Sequence, residues 1–217
     1  MTMLKIEKTV LPSPEQWEII IEGMRNPMNS WDKMDSSWDG YGENDGFSLG
    51  NNDYALMTKL AKGGPVHAKY RRMIPVWVTI NAPLYWWKEF DTYKVGTVTN
   101  SCSTMHKIHS RGFGMSDFST EHLESGWIND MYEVVIPALN AAREKFLETK
   151  DKKCWWQMIQ MLPTSYNQKR TVMINYEVLC NIYKWRRNHK LDEWHTFCDW
   201  IEELPYAELI TGGADNV

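Results

Sequence analysis

Apolar and polar positions alternate along the chain with two different periods, and the period names the element. "MLKIEKTVL" alternates weakly with period two, which predicts a first strand. "RRMIPVWVTINAP" does so strongly: Ile74, Val76, Val78 and Ile80 share one face, so a strand is expected there. "SPEQWEIIIEGMR" has the helical period, with Ser13 as cap, Pro14 at the first helical position, and Glu15 and Glu18 near the positive end of the dipole. Helices are also predicted over "NDYALMTKLAKGG", capped by Asn51 or Asn52 and closed by glycine, and over "LYWWKEFDTYKV", about three turns long. "INDMYEVVIPALNAAREKFLETK" predicts a helix interrupted at Pro137, and "KCWWQMIQMLP" another that ends before Pro163. "YNQKRTVMINYEVLCNIYKWRRNH" reads as one long amphipathic helix, and "LDEWHTFCDWIEELPYAELI" as a last one ending near Pro205. Residues 26–51, rich in Asn, Asp, Ser and Gly, predict a long surface loop. "GTVTNSCSTMHKI" is loop or extended chain, and 211–217 a flexible tail. The class expected is α+β, mostly helical with a central antiparallel or mixed sheet, in a single domain over 1–217.

Composition changes this picture in three ways. The 12 Trp and 13 Met supply core volume, stacking surfaces, or both. A net charge of -4 offers no global basic field for a nucleic acid polymer, but leaves room for a local basic pocket that takes a small anion. Cys102, Cys154, Cys180 and Cys198 are scattered, without C-x-x-C spacing, which reads as reduced thiols in a cytoplasm. The start of the chain has no signal-peptide pattern, and no stretch approaches the roughly 20 apolar residues of a membrane span, so a cytoplasmic protein with no membrane partner is expected. His106 and His109 lie three apart with no third ligand in view, so no metal site is predicted.

Two segments carry candidate chemistry. In "LYWWKEFDTYKVGTVTNSCST", Trp86 and Trp87 are either core residues or a stacking surface. The hydroxyls of Ser101, Ser103 and Thr104 either close a capped turn or surround a phosphate or a uracil-like ring. In the late helix, Asn175, Leu179, Ile182 and Arg186 share a face, with Arg170 and Asn181 on a neighbouring stripe. That stripe is either a pocket wall for an anionic ligand, since arginine grips phosphate through a bidentate fork, or a solvated cationic helix end. His67 lies among Lys69, Arg71 and Arg72, as a solvated histidine beside a basic loop or as part of a site.

The order and spacing of "LAKGGPVH", "VWVTINAP", "FDTYKVGTVTNSCST", the Leu-Pro at 162 and 163, "INYEVLCNIYKWRRNHKLDEW" and the Leu-Pro at 204 and 205 resemble the flavin-dependent thymidylate synthases. The likeness runs over residues 48 to 205. The family's RHRxxSxNxxSxR signature is only partly kept. Its charged triplet falls on Thr92, Tyr93 and Lys94, its Asn and Ser fall on Asn100 and Ser103 after a one-residue insertion, and its last arginine falls on Met105. The arginine expected just before the first Leu-Pro is replaced by Ile159, with Gln160 beside it. The resemblance implies binding of a pyrimidine nucleotide and of FAD, with methylation of dUMP to dTMP using methylenetetrahydrofolate and reduced FAD, and with NADPH consumed. It implies Arg186 as the catalytic, pyrimidine-binding group, and Glu89, Asn100, Ser101 and Ser103 on the substrate. It implies His67, Tyr93, Lys94, Asn175 and Asn181 on the cofactor, no cysteine nucleophile, and a homotetramer. Trp86, Trp87 and Tyr93 are expected to stack on a flat ring. The alternative is a nucleotide-sequestering or regulatory protein on the same fold, of the kind a phage makes, without catalysis.

Overall fold

A computed structural model of the chain describes residues 4–38 and 46–212. Strand β1 (Lys5–Val10) leads into α1 (Pro14–Arg25). The start of α1 is a capping box: the Ser13 hydroxyl accepts from Gln16 N at 3.4 Å, while Gln16 Oε1 accepts from Ser13 N at 2.8 Å. Its helical period buries Trp17, Ile20, Ile21 and Met24. Within 26–51 there is more order than a plain loop. Two short turns, Asn26–Met28 and Trp31–Lys33, precede an antiparallel pair, β2 (Ser37–Trp38) and β3 (Phe47–Ser48). Tyr41 and the other residues of 39–45 lie outside the described residues, as does all of the predicted tail beyond Gly212. Helix α2 (Asn51–Lys62) starts from Gly50 as its cap, not Asn51 or Asn52. A Cβ at Gly50 would stand 2.2 Å from Asp35 Oδ1, so the chain can approach so closely only without a side chain.

Strand β4 (Pro75–Pro83) alternates as expected and buries Val76, Val78, Ile80 and Ala82. Helix α3 (Leu84–Phe90) is shorter than its sequence suggests: it closes at Asp91, where the Thr92 hydroxyl donates to Glu89 O at 2.7 Å. Strand β5 (Val98–Ser101) follows. Helix α4 (Ser125–Asp130) runs through a π turn, Met131–Val135, into α5 (Ile136–Thr149). The turn stands just before Pro137, whose missing N–H and bulky ring prevent a regular i→i−4 ladder there. Helix α6 (Lys152–Met161) is capped by the Asp151 carboxylate on Lys153 N, 2.9 Å.

The expected long helix over 166–189 is instead strand β6 (Asn167–Asn175) followed by α7 (Tyr176–Arg186). The buried positions change spacing at Asn175: Val172 and Ile174 are two apart, whereas Leu179 and Ile182 are three apart. Asn175 accepts from Val178 N at 3.1 Å and starts the helix. The predicted Arg170–Asn181 stripe therefore does not exist, because Arg170 is in the strand. Helix α8 (Asp192–Glu202) ends before Leu204-Pro205, and a separate short α9 (Glu208–Thr211) follows Tyr206 at φ 55°.

The main sheet has the order β1-β4-β6-β5, and the fold is α+β with a small antiparallel sheet. The chain forms two compact units: Met1–Glu7 with Thr79–Thr92 and Asn100–Thr171, and Lys8–Val78 with Tyr93–Thr99 and Val172–Val217. In the first, Phe113, Phe118, Leu139 and Met158 belong to one buried cluster. Trp86 and Trp87 are also fully buried there, in edge-on contact with each other, so they are core residues rather than the stacking surface for a ligand. In the second, Trp194, Phe197 and Trp200 pack in a chain of ring contacts. Among the described residues no helix is long and apolar enough to cross a membrane.

Candidate functional site

The second unit holds a cleft of about 790 Å³, and sequence-distant segments meet on it. The end of α2 supplies Lys62, Gly63 and Gly64, the turn Lys69–Met73 supplies Arg71 and Arg72, and the segment before β5 supplies Val95 and Gly96. Helix α7 supplies Asn181, Lys184 and Trp185, with Asn175 at its cap. Gly96 is required twice over. Its φ is +83°, and a Cβ there would stand 3.0 Å from Asn175 Nδ2 and 3.1 Å from Val178 Cγ2. The Asn175 amide donates to Gly96 O at 3.4 Å, so this predicted cofactor residue ties the 93–99 segment to the start of α7. Asn181 is exposed on the same wall.

The cleft is basic, with Lys62, Arg71, Arg72 and Lys184 against one carboxylate, Glu177. None of Lys62, Arg72 and Lys184 is in an ion pair with a described residue. Trp185, 64% exposed, presents an open indole with Lys184 Nζ 5.2 Å from its ring centre. Sequence reading gave none of Lys62, Lys184, Trp185 or Gly96 a role. The available signal was the recurrence of cations next to Gly63-Gly64 and within "KYRR". His67 is exposed, and its ring packs beneath Gly63, where an added Cβ would meet Cδ2 at 3.1 Å. Lys94 is exposed.

Arg186, at the end of α7, is half-buried between two rings of the same unit. Its guanidinium carbon lies 4.9 Å from the Trp194 ring centre and 5.6 Å from that of Tyr93, and its Nε donates to Tyr93 Oη at 2.9 Å. Two cation–π contacts and a hydrogen bond fix the planar group. His189 approaches Trp194 edge-on, 6.3 Å between centres, and Glu193 is buried alongside. Tyr93 thus stands in the expected triplet as a partner of Arg186. Cysteine chemistry is disfavoured nearby: burial pushes the Cys198 thiol up to about 12 and raises that of Cys180.

The first unit has its own cleft, about 640 Å³, lined among others by Cys102, Ser103, Thr104, Lys107, Arg111 and Lys169. Its polar groups are largely used by the chain. Ser103 Oγ accepts from Met105 N at 3.2 Å and His106 N at 2.8 Å, so the capped turn is realised. Arg111 pairs with Asp117, and Lys169 Nζ meets Glu7 Oε2 at 2.6 Å. Gln168 Nε2 donates to Cys102 O at 2.6 Å. Asn100 and Ser101 are exposed in β5, and Glu89 is half-buried near the end of α3. Arg170 stacks on Trp87 at 4.4 Å and pairs with Asp91 at 2.8 Å, a structural role within this unit.

No protein-family model and no curated protein matches the chain. Among solved structures, it is similar to flavin-dependent thymidylate synthase ThyX from Helicobacter pylori complexed with FAD and dUMP. The identity is 14%, the match covers 97% of this chain and 99% of that chain, and the TM-score is 0.61. A second structure of Thymidylate Synthase X from the same organism, with FAD and dUMP, matches over 100% of both chains at 15% identity and a TM-score of 0.64. The chain has the fold of these enzymes, and the likeness is one of fold.

Proposed function

We propose that the protein binds a pyrimidine deoxynucleotide and FAD and methylates dUMP to dTMP, with methylenetetrahydrofolate as the carbon source. The observation that carries this is the second-unit cleft, where "LAKGGPVH", the segment after Lys94 and "INYEVLCN" meet, each a piece of the sequence resemblance. The neighbours of the same fold are complexed with FAD and dUMP. A flavin dinucleotide needs cations for its diphosphate, amide groups, and flat apolar surface. Lys62, Arg72 and Lys184, then Asn181, then Trp185 meet those needs.

When bound, the reduced flavin supplies the hydride that the methylation requires. The rest falls to side chains. Arg186, held by Tyr93 and Trp194, stabilises negative charge developing on the pyrimidine, and its prior fixing avoids reorganisation at the moment of reaction. Glu89, Asn100, Ser101 and Ser103 hold the nucleotide by hydrogen bonds; the Ser103 hydroxyl accepts two backbone N–H groups and still has its own proton to donate. His67, Tyr93, Lys94, Asn175 and Asn181 serve the flavin side. The protein works in the cytoplasm as a homotetramer, for which exposed Trp127, Tyr132 and Val134 in the first unit offer contact surface.

The absorbance spectrum of the purified protein after loading with FAD tests this, together with NADPH consumption in the presence of dUMP and methylenetetrahydrofolate. A yellow protein that consumes NADPH is expected. A second reading, nucleotide binding without turnover, is favoured by Thr92, Tyr93 and Lys94 in place of the charged triplet and by the engagement of Arg186 Nε with Tyr93. It predicts a colourless protein whose melting temperature rises with dUMP.

A further inference from the structure

Arg71 is 3% exposed, yet it is poorly partnered. Its Nη1 reaches Cys180 Sγ at 3.5 Å and Glu177 Oε2 at 3.9 Å, the latter too long for a hydrogen bond, and the guanidinium also interacts with the neighbouring Tyr70 phenol. Its Nε and Nη2 are buried without an acceptor, and Glu177 Oε2 is buried without a donor. Buried guanidinium groups are normally paired, because an open donor away from water costs free energy. Arg71 also borders the second-unit cleft, whose other cations are Lys62, Arg72 and Lys184. Four positive groups thus line one cavity of a chain whose net charge is -4. A cavity of one sign focuses its field and concentrates small ions of the opposite sign.

We propose that Arg71 is the anion anchor of this cleft, and that the ligand it takes carries a phosphate or diphosphate group. The planar fork of arginine matches two oxygens of a phosphoryl group, and the flanking lysines suit a group bearing more than one charge. The loose contact with Glu177 gives an entering oxygen little to displace. Trp185 and Asn181 on the same wall suit the remainder of a nucleotide-like ligand. The anion site stands on the cleft's own chemistry; only the choice of a flavin dinucleotide as the source of the phosphates rests on the function proposed above.

Calorimetry with inorganic pyrophosphate on the full chain, with thermal unfolding alongside, tests the proposal. Wild-type protein is expected to bind pyrophosphate with an affinity that falls as salt rises. Arg71→Met is expected to lose at least about tenfold, and Arg71→Lys to lie between the two. Arg71→Met combined with Glu177→Gln removes both members of the loose pair; it is expected to melt within about 2–4 °C of wild type and still to bind poorly. Displacement of pyrophosphate by FAD but not dUMP assigns a dinucleotide diphosphate, and displacement by dUMP alone assigns a monophosphate. Displacement by neither supports an anion site and removes the flavin from it. Undiminished pyrophosphate binding by the double variant, or none by the wild-type protein, overturns the proposal.

Discussion

Arg25 and Arg71 are both 3% exposed and both belong to the second unit, yet they are partnered to different degrees: Arg25 leaves Nη2 alone without an acceptor, whereas Arg71 leaves both Nε and Nη2. Arg25 Nε meets Asp53 Oδ1 at 2.6 Å, and its Nη1 donates to Ser30 O at 3.2 Å. Asp53 Oδ2 in turn accepts from Asp35 N, Ser36 N and the Ser36 hydroxyl at 2.7 to 3.0 Å. The Asp35 carboxylate then takes the first N–H groups of α2, from Asn52 and Asp53. Arg71 has no such support. A buried charge wrapped by its own chain ties α1, α2 and the segment between them together. One left with open donors beside a basic cleft is arranged for something the chain does not supply.

The contrast can be broken most sharply at Asp53. Asp53→Asn strands Arg25 in the interior and is expected to cost about 3–5 kcal/mol. By chemical and thermal denaturation this is a fall of roughly 10 °C, at about 2–4 °C per kcal/mol for a chain of this size. An equal fall for Arg71→Met would erase the distinction between the two arginines. Acid offers a second, graded test. Burial alone would raise the Asp53 carboxyl, but hydrogen bonds from Ser36, Arg25 and the backbone of Asp35 and Ser36 outweigh it and hold the group below its ordinary range. The unfolded chain therefore takes up the proton first. The stabilisation is complete above the unfolded value of about 3.9 and is lost as pH falls through the lower folded value. Denaturation midpoints measured from pH 6 to pH 2 should fall less steeply in Asp53→Asn than in wild type.

Ser103→Ala probes a polar group met by local backbone rather than by a distant partner, and its loss should cost about 1 kcal/mol of stability. A weakening of dUMP affinity beyond that expected from stability supports its substrate role, and none at all removes it. The smallest effect on folding is expected for Arg71→Met with Glu177→Gln, within about 1 kcal/mol of wild type, since neither group is well satisfied where it stands.

Local chemistry was readable wherever partners are close in sequence. Ser13, Pro14 and Glu15 announce α1, and strict alternation announces β4. The boundary at Asn175 was lost because Gln168 and Arg170 resemble the polar face of a helix, whereas they are partners within the first unit: Arg170 Nε donates to Gln168 Oε1 at 2.9 Å. Trp86 and Trp87 could not be sorted into core or surface before their packing was known. Asn175 and Asn181 were singled out by helical spacing and given a cofactor role by the resemblance, and both border the cleft. The buried state of Arg71 was invisible, because its significance is an absence of partners, which only three dimensions disclose. The knot around Asp53 was missed for a related reason: Arg25 lies 28 residues away.

The claim that a pyrimidine nucleotide is held by Arg186 is tested most directly by titrating dUMP calorimetrically into wild-type protein and into Arg186→Ala, each with FAD present. Wild-type protein should bind, and the variant should lose at least about tenfold in affinity while keeping its fold by circular dichroism. Equal binding by the two proteins, or no binding by wild type, would contradict it.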